Sequence, residues 1–546
     1  MDLLNFLQKE SGVFGRRIAL VTLLGGVVSG LMMTIILAAA STSTNAEHNL
    51  RYLLMFALAL AALMVAKRYS LRHTGKLTES IIEGIQLRIT DKIRRADLLF
   101  FEQIGTAQFM TLLTKETQTI SSAATMTVNA ASSAVMLIVA FLFVAYLSIP
   151  AFLLTLAAVG VAVVGYRMSL KTVEPQLQET LKVEASYFEL IQHLLDGFKE
   201  LKMDVRKSRD LHDTHLRSRA ARVAALKIDT NNRFVNITLI THSAFYSLLG
   251  IIIFLLPKLT ACDASVIMKI SAVILFIFGP LAEVVGVVPY IAKGNAAINE
   301  IEQMEQRLDD VASRSAPVDF AVTPAPWPVR EIEVRDMIFS YPDDDGTTGY
   351  TAGPLNLTIR AGETVFIMGG NGSGKSTFLK LLTGLYQPKA GALFVDAQPL
   401  VPSQYQRYRN MFSIIFTDFH LFDRLYGHEQ VDEDQLMRLL HGFDLATKTR
   451  YQEGRFSPLN LSTGQRKRLS LIVALLEQKP ILVCDEWAAD QDPVFRRHFY
   501  EVILPELKRQ GKTIIAATHD DRYFHTADRV LKMEYGRFVE SEPGTN

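Results

Sequence analysis

Cysteine is almost absent: Cys262 and Cys484 are the only two in 546 residues, and they stand far apart on segments of different character. That excludes a disulfide scaffold, and Cys484, inside an apolar run, reads as a small buried side chain. Charge of one sign is missing as well. The formal net charge is +1 and no long Lys/Arg block occurs, which removes any whole-chain reason to expect nucleic acid as a partner. A cleavable signal peptide is not expected, because the first apolar run is too long for an h-region and lacks a cleavage site ahead of further apolar runs. Charge is also unevenly spread: 49% of residues in the whole chain are hydrophobic, and the long uncharged runs all lie before about Lys293.

Six such runs can be marked, at residues 18–40, 52–66, 131–149, 151–168, 235–256 and 266–291. Most approach the ~20 residues a helix needs to cross hydrocarbon, and the second needs its flanks to reach. Six in succession make a soluble core implausible. Arg16 and Arg17 precede the first run, Lys67, Arg68, Arg72 and Lys76 follow the second, and Arg167 and Lys171 follow the fourth, while the turns after runs one, three and five are short and poor in positive charge. The positive-inside rule then puts both termini in the cytoplasm.

Segments of about 60 residues join runs two to three and four to five. Leu77, Ile81, Ile82, Ile85 and Leu87, and likewise Leu181, Ala185, Phe188, Ile191 and Leu194, recur at helical spacing, so these segments are expected to carry the spans into the cytoplasm as helices. Each contains a break that could dock on another surface: residues 98–105 with Phe100, Phe101 and Glu102, and Asp196-Gly197-Phe198-Lys199-Glu200. Within the spans, Glu283 and His242, the latter near Asn236, Thr241 and Ser243, are expensive in lipid. They are expected to line a substrate cavity; packing between helices is the alternative. Lys269, near the outer end of its span, is expected to snorkel.

Residues 1–294 thus read as a transmembrane domain, 295–328 as a linker punctuated by Pro317, Pro324, Pro326 and Pro328, and 329–546 as an α/β domain with a mainly parallel sheet. Its organising stretch is Gly369-Gly370-Asn371-Gly372-Ser373-Gly374-Lys375-Ser376-Thr377, between an apolar strand (364–368) and an amphipathic helix beginning at Phe378. This is the setting of a P-loop: glycines let backbone N–H groups approach a polyphosphate at a helix N-terminus, Lys375 adds a mobile cation, and the Ser376 hydroxyl suits Mg²⁺. Tyr341 ends an earlier strand and is placed to stack on a purine. Asp485 and Glu486 end the apolar strand 481–484, where one carboxylate can hold Mg²⁺ and the next can orient or deprotonate water.

Leu461-Ser462-Thr463-Gly464-Gln465 lies just upstream of that strand. With the P-loop before it and Asp485-Glu486 after it, this half resembles the nucleotide-binding domain of ATP-binding cassette (ABC) transporters, and the whole chain resembles an exporter half-transporter. The resemblance implies a fold of six transmembrane helices (ABC exporter type) fused to an α/β P-loop nucleotide-binding domain, with ATP and Mg²⁺ as cofactors. It also implies roles. Residues 369–377 would cradle ATP, Tyr341 would stack on adenine, Ser376 and Asp485 would hold the metal, and Glu486 would be the catalytic carboxylate. Ser462, Gly464 and Gln465 would reach the γ-phosphate of ATP held by a second copy, His519 would be the switch histidine on that same phosphate, and Asp492 would match the D-loop aspartate.

The sequence departs from the family pattern at Thr463, where Gly is usual, and at Phe416-Thr417-Asp418, where no metal-sensing Gln stands and Asp418 is expected to supply an oxygen instead. The D-loop reads Ala489-Asp490-Gln491-Asp492. With Leu421-Phe422-Asp423 and His519-Asp520-Asp521, these features resemble the bacterial branch that exports cyclic and nonribosomal peptides, such as pyoverdine precursors, syringomycin and a lasso-peptide microcin. The resemblance implies a homodimer in the bacterial inner membrane, in contact with lipid, exporting peptide-like or amphipathic cargo. Residues 1–17 leave no room for a leader-cleaving protease domain, so the cargo is expected already matured. A flippase for lipids or hydrophobic drugs and an ATP-gated pore or sensor are the alternatives.

Overall fold

The computed structural model describes residues 3–41, 46–260, 263–314, 327–342, 348–427 and 431–539; Cys262 and the linker prolines Pro317, Pro324 and Pro326 lie outside them. The chain divides into two compact units, one built from Met1–Arg88 and Met110–Gln303 and the other from Ile89–Phe109 and Met304–Asn546.

The six apolar runs become long helices: Leu3–Ser41, Ala46–Ile93, Thr117–Leu147, Ile149–Asp196, Arg217–Gly250 and Ala264–Gly286, the last followed by Val288–Arg314. Among the described residues, Leu20–Ala40, Leu50–Ile93, Thr106–Leu147 and Ala264–Ala312 are long and apolar enough to cross a bilayer, while the fourth and fifth helices contribute the shorter apolar segments Ile149–Val161 and His242–Lys258. The short second run gains its length because its helix continues without interruption into polar sequence. Between the third and fourth helices the turn is one residue, Ser148, whose hydroxyl accepts from the Ala151 N–H at 3.4 Å while Pro150 supplies the first helical turn.

Met33, Leu137, Val144, Ile252 and Ile274 are buried between these helices, whereas Leu58, Leu142 and Val161 point outward, as a lipid-facing surface requires. Gly26 and Gly30 on the first helix face the third. A Cβ at Gly26 would lie 2.5 Å from the Ser132 carbonyl oxygen, and one at Gly30 would lie 2.6 Å from Val139 Cβ. Small residues at this spacing allow the close backbone approach that substitutes for a hydrophobic drive inside lipid.

The second unit holds two main sheets. One is antiparallel, in the order β2-β1-β4-β5, from β1 (Glu331–Pro342), β2 (Thr348–Arg360), β4 (Ala390–Val395) and β5 (Gln398–Pro399). The other runs β12-β11-β3-β10-β9-β6, from β3 (Thr364–Met368), β6 (Phe412–Ile415), β9 (Ile481–Asp485), β10 (Thr513–Ala517), β11 (Arg529–Glu534) and β12 (Arg537–Val539), and is parallel except for β12. A short pair, β7 (Arg450–Gln452) and β8 (Arg455–Ser457), stands apart. The expected parallel sheet is therefore joined by a substantial antiparallel one.

Alternation sorts the central strands onto two cores. Val365, Ile367, Ile481, Val483 and Ile515 face one, with Phe378 and Leu381; Phe366, Leu482, Cys484, Ile514 and Ala516 face the other, with Leu469 and Trp487. Cys484 is a buried core residue as expected, and burial pushes its thiol up to about 12.

The break at residues 98–105 becomes the short helix Leu98–Ile104 and belongs to this unit. Leu98 and Leu99 pack against the first core, and Glu102 accepts from Lys380 Nζ at 2.8 Å and from the Tyr386 hydroxyl. In the first unit, the second break becomes the helix Phe198–Met203, which leaves Leu195, Phe198, Met203 and Val205 exposed.

Candidate active site

Strand order assembles the site. Because β3, β10, β9 and β6 are consecutive neighbours in a parallel sheet, the segments leaving their carboxyl ends meet: the P-loop after β3, Thr518 and His519 after β10, Asp485 and Glu486 at the end of β9, and Thr417 after β6. In the P-loop, a Cβ at Gly369 would meet the Met533 carbonyl oxygen at 2.3 Å, and one at Gly374, whose φ is +104°, would meet the Tyr350 hydroxyl at 2.4 Å. Only glycine fits either position. Gly370, Asn371, Gly372 and Ser376 face the open mouth, whereas Ser373, Lys375 and Thr377 are buried.

Lys375 is 5% exposed. Its ammonium donates to the Gly369 and Gly370 carbonyls at 2.8 and 3.1 Å and lies 3.2 Å from Glu486 Oε1. Nε2 of His519 sits 2.9 Å from Glu486 Oε1 and 3.1 Å from Lys375 Nζ. The ring therefore donates to the carboxylate when Nε2 carries a proton and accepts from the ammonium when it does not. Burial pushes the Glu486 carboxyl up, but the hydrogen bonds from Lys375 and His519 outweigh it and hold the group below its ordinary value.

Asp485 is 1% exposed, and its Oδ1 is buried without a hydrogen-bond partner. Burial raises its carboxyl, opposed by the hydroxyls of Ser376 and Thr417. A buried carboxylate oxygen with no donor is costly unless a cation meets it, and the carboxylate of Asp485 with the hydroxyls of Ser376 and Thr417 beside it suits a hard divalent ion. Among the described residues no three His, Cys, Asp or Glu side chains converge on a metal position, so a metal here would complete its shell from phosphate and water.

Asp418, expected as a metal oxygen, is exposed in the turn after β6, and among the described residues no hydrogen bond ties it to Asp485 or Ser376; its neighbour Thr417 instead donates to the Asp485 carbonyl at 3.3 Å. His519, expected on the phosphate of a second copy's ATP, stands beside Lys375 of its own chain, because β10 lies between β3 and β9. Tyr341 is half-buried at the rim. Its hydroxyl lies 3.1 Å from Thr377 Oγ1 and 3.5 Å from the Tyr386 hydroxyl.

Ser462, Gly464 and Gln465 open the helix Thr463–Leu476, where Ser462 Oγ accepts from the Gln465 N–H at 3.3 Å and Gln465 Oε1 from the Ser462 N–H at 3.0 Å. Among the described residues none of the three hydrogen-bonds to the P-loop of the same chain. Asp492 caps the helix Pro493–His498 and pairs with Arg468 at 2.5 Å. In the first unit Glu283 accepts from the Ser133 hydroxyl, and His242 meets the Phe278 ring edge-on at 4.8 Å, with Phe245 of the same helix also against Phe278 at 4.6 Å. Both polar groups thus touch neighbouring helices.

Comparison with known proteins agrees with this geometry. Residues 352–489 match the ABC transporter family, and residues 18–203 match the ABC transporter transmembrane region. The chain is 31% identical over 532 residues to the ATP-binding protein SyrD of Pseudomonas syringae pv. syringae, spanning 95% of this chain and 93% of that one. It is 28% identical to an ATP-dependent lipid A-core flippase of Alkalilimnicola ehrlichii over 50% of this chain and 46% of that protein. Its fold matches a bacterial Atm1-family ABC exporter with ATP bound at a TM-score of 0.75, with 18% identity, over 97% of this chain and 95% of the other. The chain belongs to the ABC transporter family as an exporter-type half-transporter, one transmembrane region followed by one ATP-binding domain that couples ATP hydrolysis to transport.

Proposed function

We propose that two copies of this chain form an exporter in the bacterial inner membrane, with both termini cytoplasmic, that moves a peptide-like secondary metabolite out of the cytoplasm. The observation that carries the ATP-driven part is the meeting of Lys375, Asp485, Glu486 and His519 at the ends of adjacent strands. Full-length similarity to SyrD supports the peptide branch, whereas the lipid A-core flippases match over less than half of their length.

In this reading the P-loop amides and Lys375 hold the phosphates, Tyr341 carries the adenine, and Ser376 and Asp485 would hold Mg²⁺, which would supply charge neutralisation at the phosphoryl oxygens. Glu486 orients and deprotonates the attacking water, and His519 fixes the carboxylate. Phosphates compete with Glu486 for Lys375, so nucleotide binding frees the carboxylate to act as a base. Ser462, Gly464 and Gln465 stand away from their own P-loop and complete the site of the second copy. ATP bridging both surfaces favours the closed dimer, and hydrolysis removes that bias. The exposed Leu195, Phe198, Met203 and Val205 suit burial against the second copy. Cargo meets Glu283, His242 and the adjoining Phe245 and Phe278.

The test is ATPase stimulation of the purified, reconstituted dimer by cyclic peptides, siderophores and lipids. Stimulation by a peptide-like compound supports the assignment; stimulation by lipid alone makes the protein a flippase, and ion current without stimulation makes it a gated pore. At the metal, Thr417→Val is expected to raise the Mg²⁺ concentration for half-maximal ATPase about 3- to 10-fold, the worth of one hydrogen bond, with Asp418→Ala near wild type. A Mg²⁺ titration giving the opposite order returns the metal oxygen to Asp418.

A further inference from the structure

Lys467 breaks the pattern of its helix. Along Thr463–Leu476 the buried stripe runs through Leu471 and Ala474, and Lys467, four residues before Leu471, occupies the same stripe at 2% exposure. An ammonium at a core position persists only when its charge and all its donors are well answered. Here the partners are specific: Lys467 Nζ donates to the Glu486 backbone carbonyl at 2.9 Å and to Asp490 Oδ2 at 2.7 Å. The Lys467 carbonyl accepts from Trp487 Nε1 at 2.7 Å.

The residue held is strained. Glu486 has φ 49° and ψ 37°, a left-handed conformation that a residue with a Cβ adopts only when its surroundings enforce it. Its N–H is fixed by the Ala517 carbonyl of β10 at 3.0 Å and its C=O by Lys467. With the backbone pinned on both sides, the carboxylate points at His519 and Lys375.

The next turn is tied to the same helix. Arg468 donates to Gln491 Oε1 at 2.9 Å, and Gln491 Nε2 donates to the Gly464 carbonyl at 3.1 Å. Residues 486–492 are therefore tied to the start of the helix Thr463–Leu476.

We propose that Lys467 is a positioning residue for hydrolysis: its buried ammonium clamps the Glu486 carbonyl and the Asp490 carboxylate, so the Glu486 carboxylate is aimed only while the helix Thr463–Leu476 and the Ala489–Asp492 loop stay in register. This rests on the reading of Glu486 as the hydrolytic base. The clamp touches no nucleotide-contacting atom, so its loss falls on kcat and spares KM. Asp490 is half-exposed and Lys467 is not, so the neutral variants differ: Lys467→Gln keeps a donor toward the Glu486 carbonyl, whereas Lys467→Met keeps none.

Steady-state ATPase of the full chain reconstituted in bilayers tests this with Lys467→Met, Lys467→Gln and Asp490→Asn. We expect kcat of Lys467→Met to fall about 10- to 100-fold with KM for ATP within about threefold, a range of loss below that for removing a general base outright. Lys467→Gln should recover at least about tenfold of that loss, and Asp490→Asn should fall between Lys467→Gln and Lys467→Met. If Lys467→Met does not accumulate, the other two variants carry the test. The proposal is overturned if Lys467→Met or, where that variant does not accumulate, Asp490→Asn keeps kcat within twofold of wild type, if KM rises in step with the fall in kcat, or if Lys467→Gln is no faster than the other two variants. An inactive Glu486→Gln chain beside a fully active Lys467→Met chain removes the clamp alone, while an active Glu486→Gln chain removes the base reading itself.

Discussion

Glu486→Gln should bind ATP and hydrolyse it about 10³-fold more slowly than the wild type, the loss expected when a general base is removed. The substitution is nearly isosteric: the amide oxygen still accepts from Lys375 and His519, and the backbone stays fixed between Ala517 and Lys467. What disappears is the ability to take a proton from water. Binding survives because a neutral amide competes with the phosphates for Lys375 less strongly than a carboxylate does, so ATP should bind at least as tightly. Phosphate release by the purified, reconstituted protein, with fluorescent-nucleotide titration alongside, measures both. Full turnover would contradict the role given to Glu486.

Lys375→Ala should fail at the preceding step. The ammonium is buried, and among the described residues no other Lys or Arg hydrogen-bonds to the Gly369 or Gly370 carbonyls; Lys467 is held by Glu486 and Asp490. A charge-assisted bond of this kind is worth about 1.5–3 kcal/mol, or roughly a 10- to 150-fold rise in Kd for ATP. The variant also has a pH signature. Lys375 is the leading reason that the Glu486 carboxyl lies below its ordinary 4.5. A depressed carboxylate stabilises the fold above its unfolded value and loses that contribution as pH falls through its folded one. The difference in melting temperature between wild type and Lys375→Ala should therefore be full above about pH 4.5 and shrink below it. A difference that grows on acidification would break the link between the two residues.

Much of the site was legible because its chemistry is written in local spacing. A glycine run ending in Lys375 and Ser376, and four apolar residues ending in Asp485-Glu486, announce themselves within single segments. What joins them is strand order, which no local pattern encodes, and this is why the approach of His519 to Lys375 and Glu486 of its own chain was not legible. Thr417 escaped notice because a threonine beside an aspartate looks like the lesser ligand; its role comes from where β6 lies against β9. Lys467 was hidden in a basic stretch with Arg466 and Arg468, although its spacing to Leu471 and Ala474 marked it as inward-facing. The antiparallel sheet was missed because the alternation of β1 is interrupted by bulges around Asp336, itself at φ 48°.

Gly26 and Gly30 carry a mechanical consequence. With the Ser132 carbonyl and Val139 already within the space a methyl would need, the first and third helices have no lubricating layer of side chains between them. Sliding one past the other would break that fit, so the pair should travel as a welded plank whenever the membrane unit rearranges. Hinges then belong where the backbone already gives way, at Ser148 and at the junction of Gly286 with Val287.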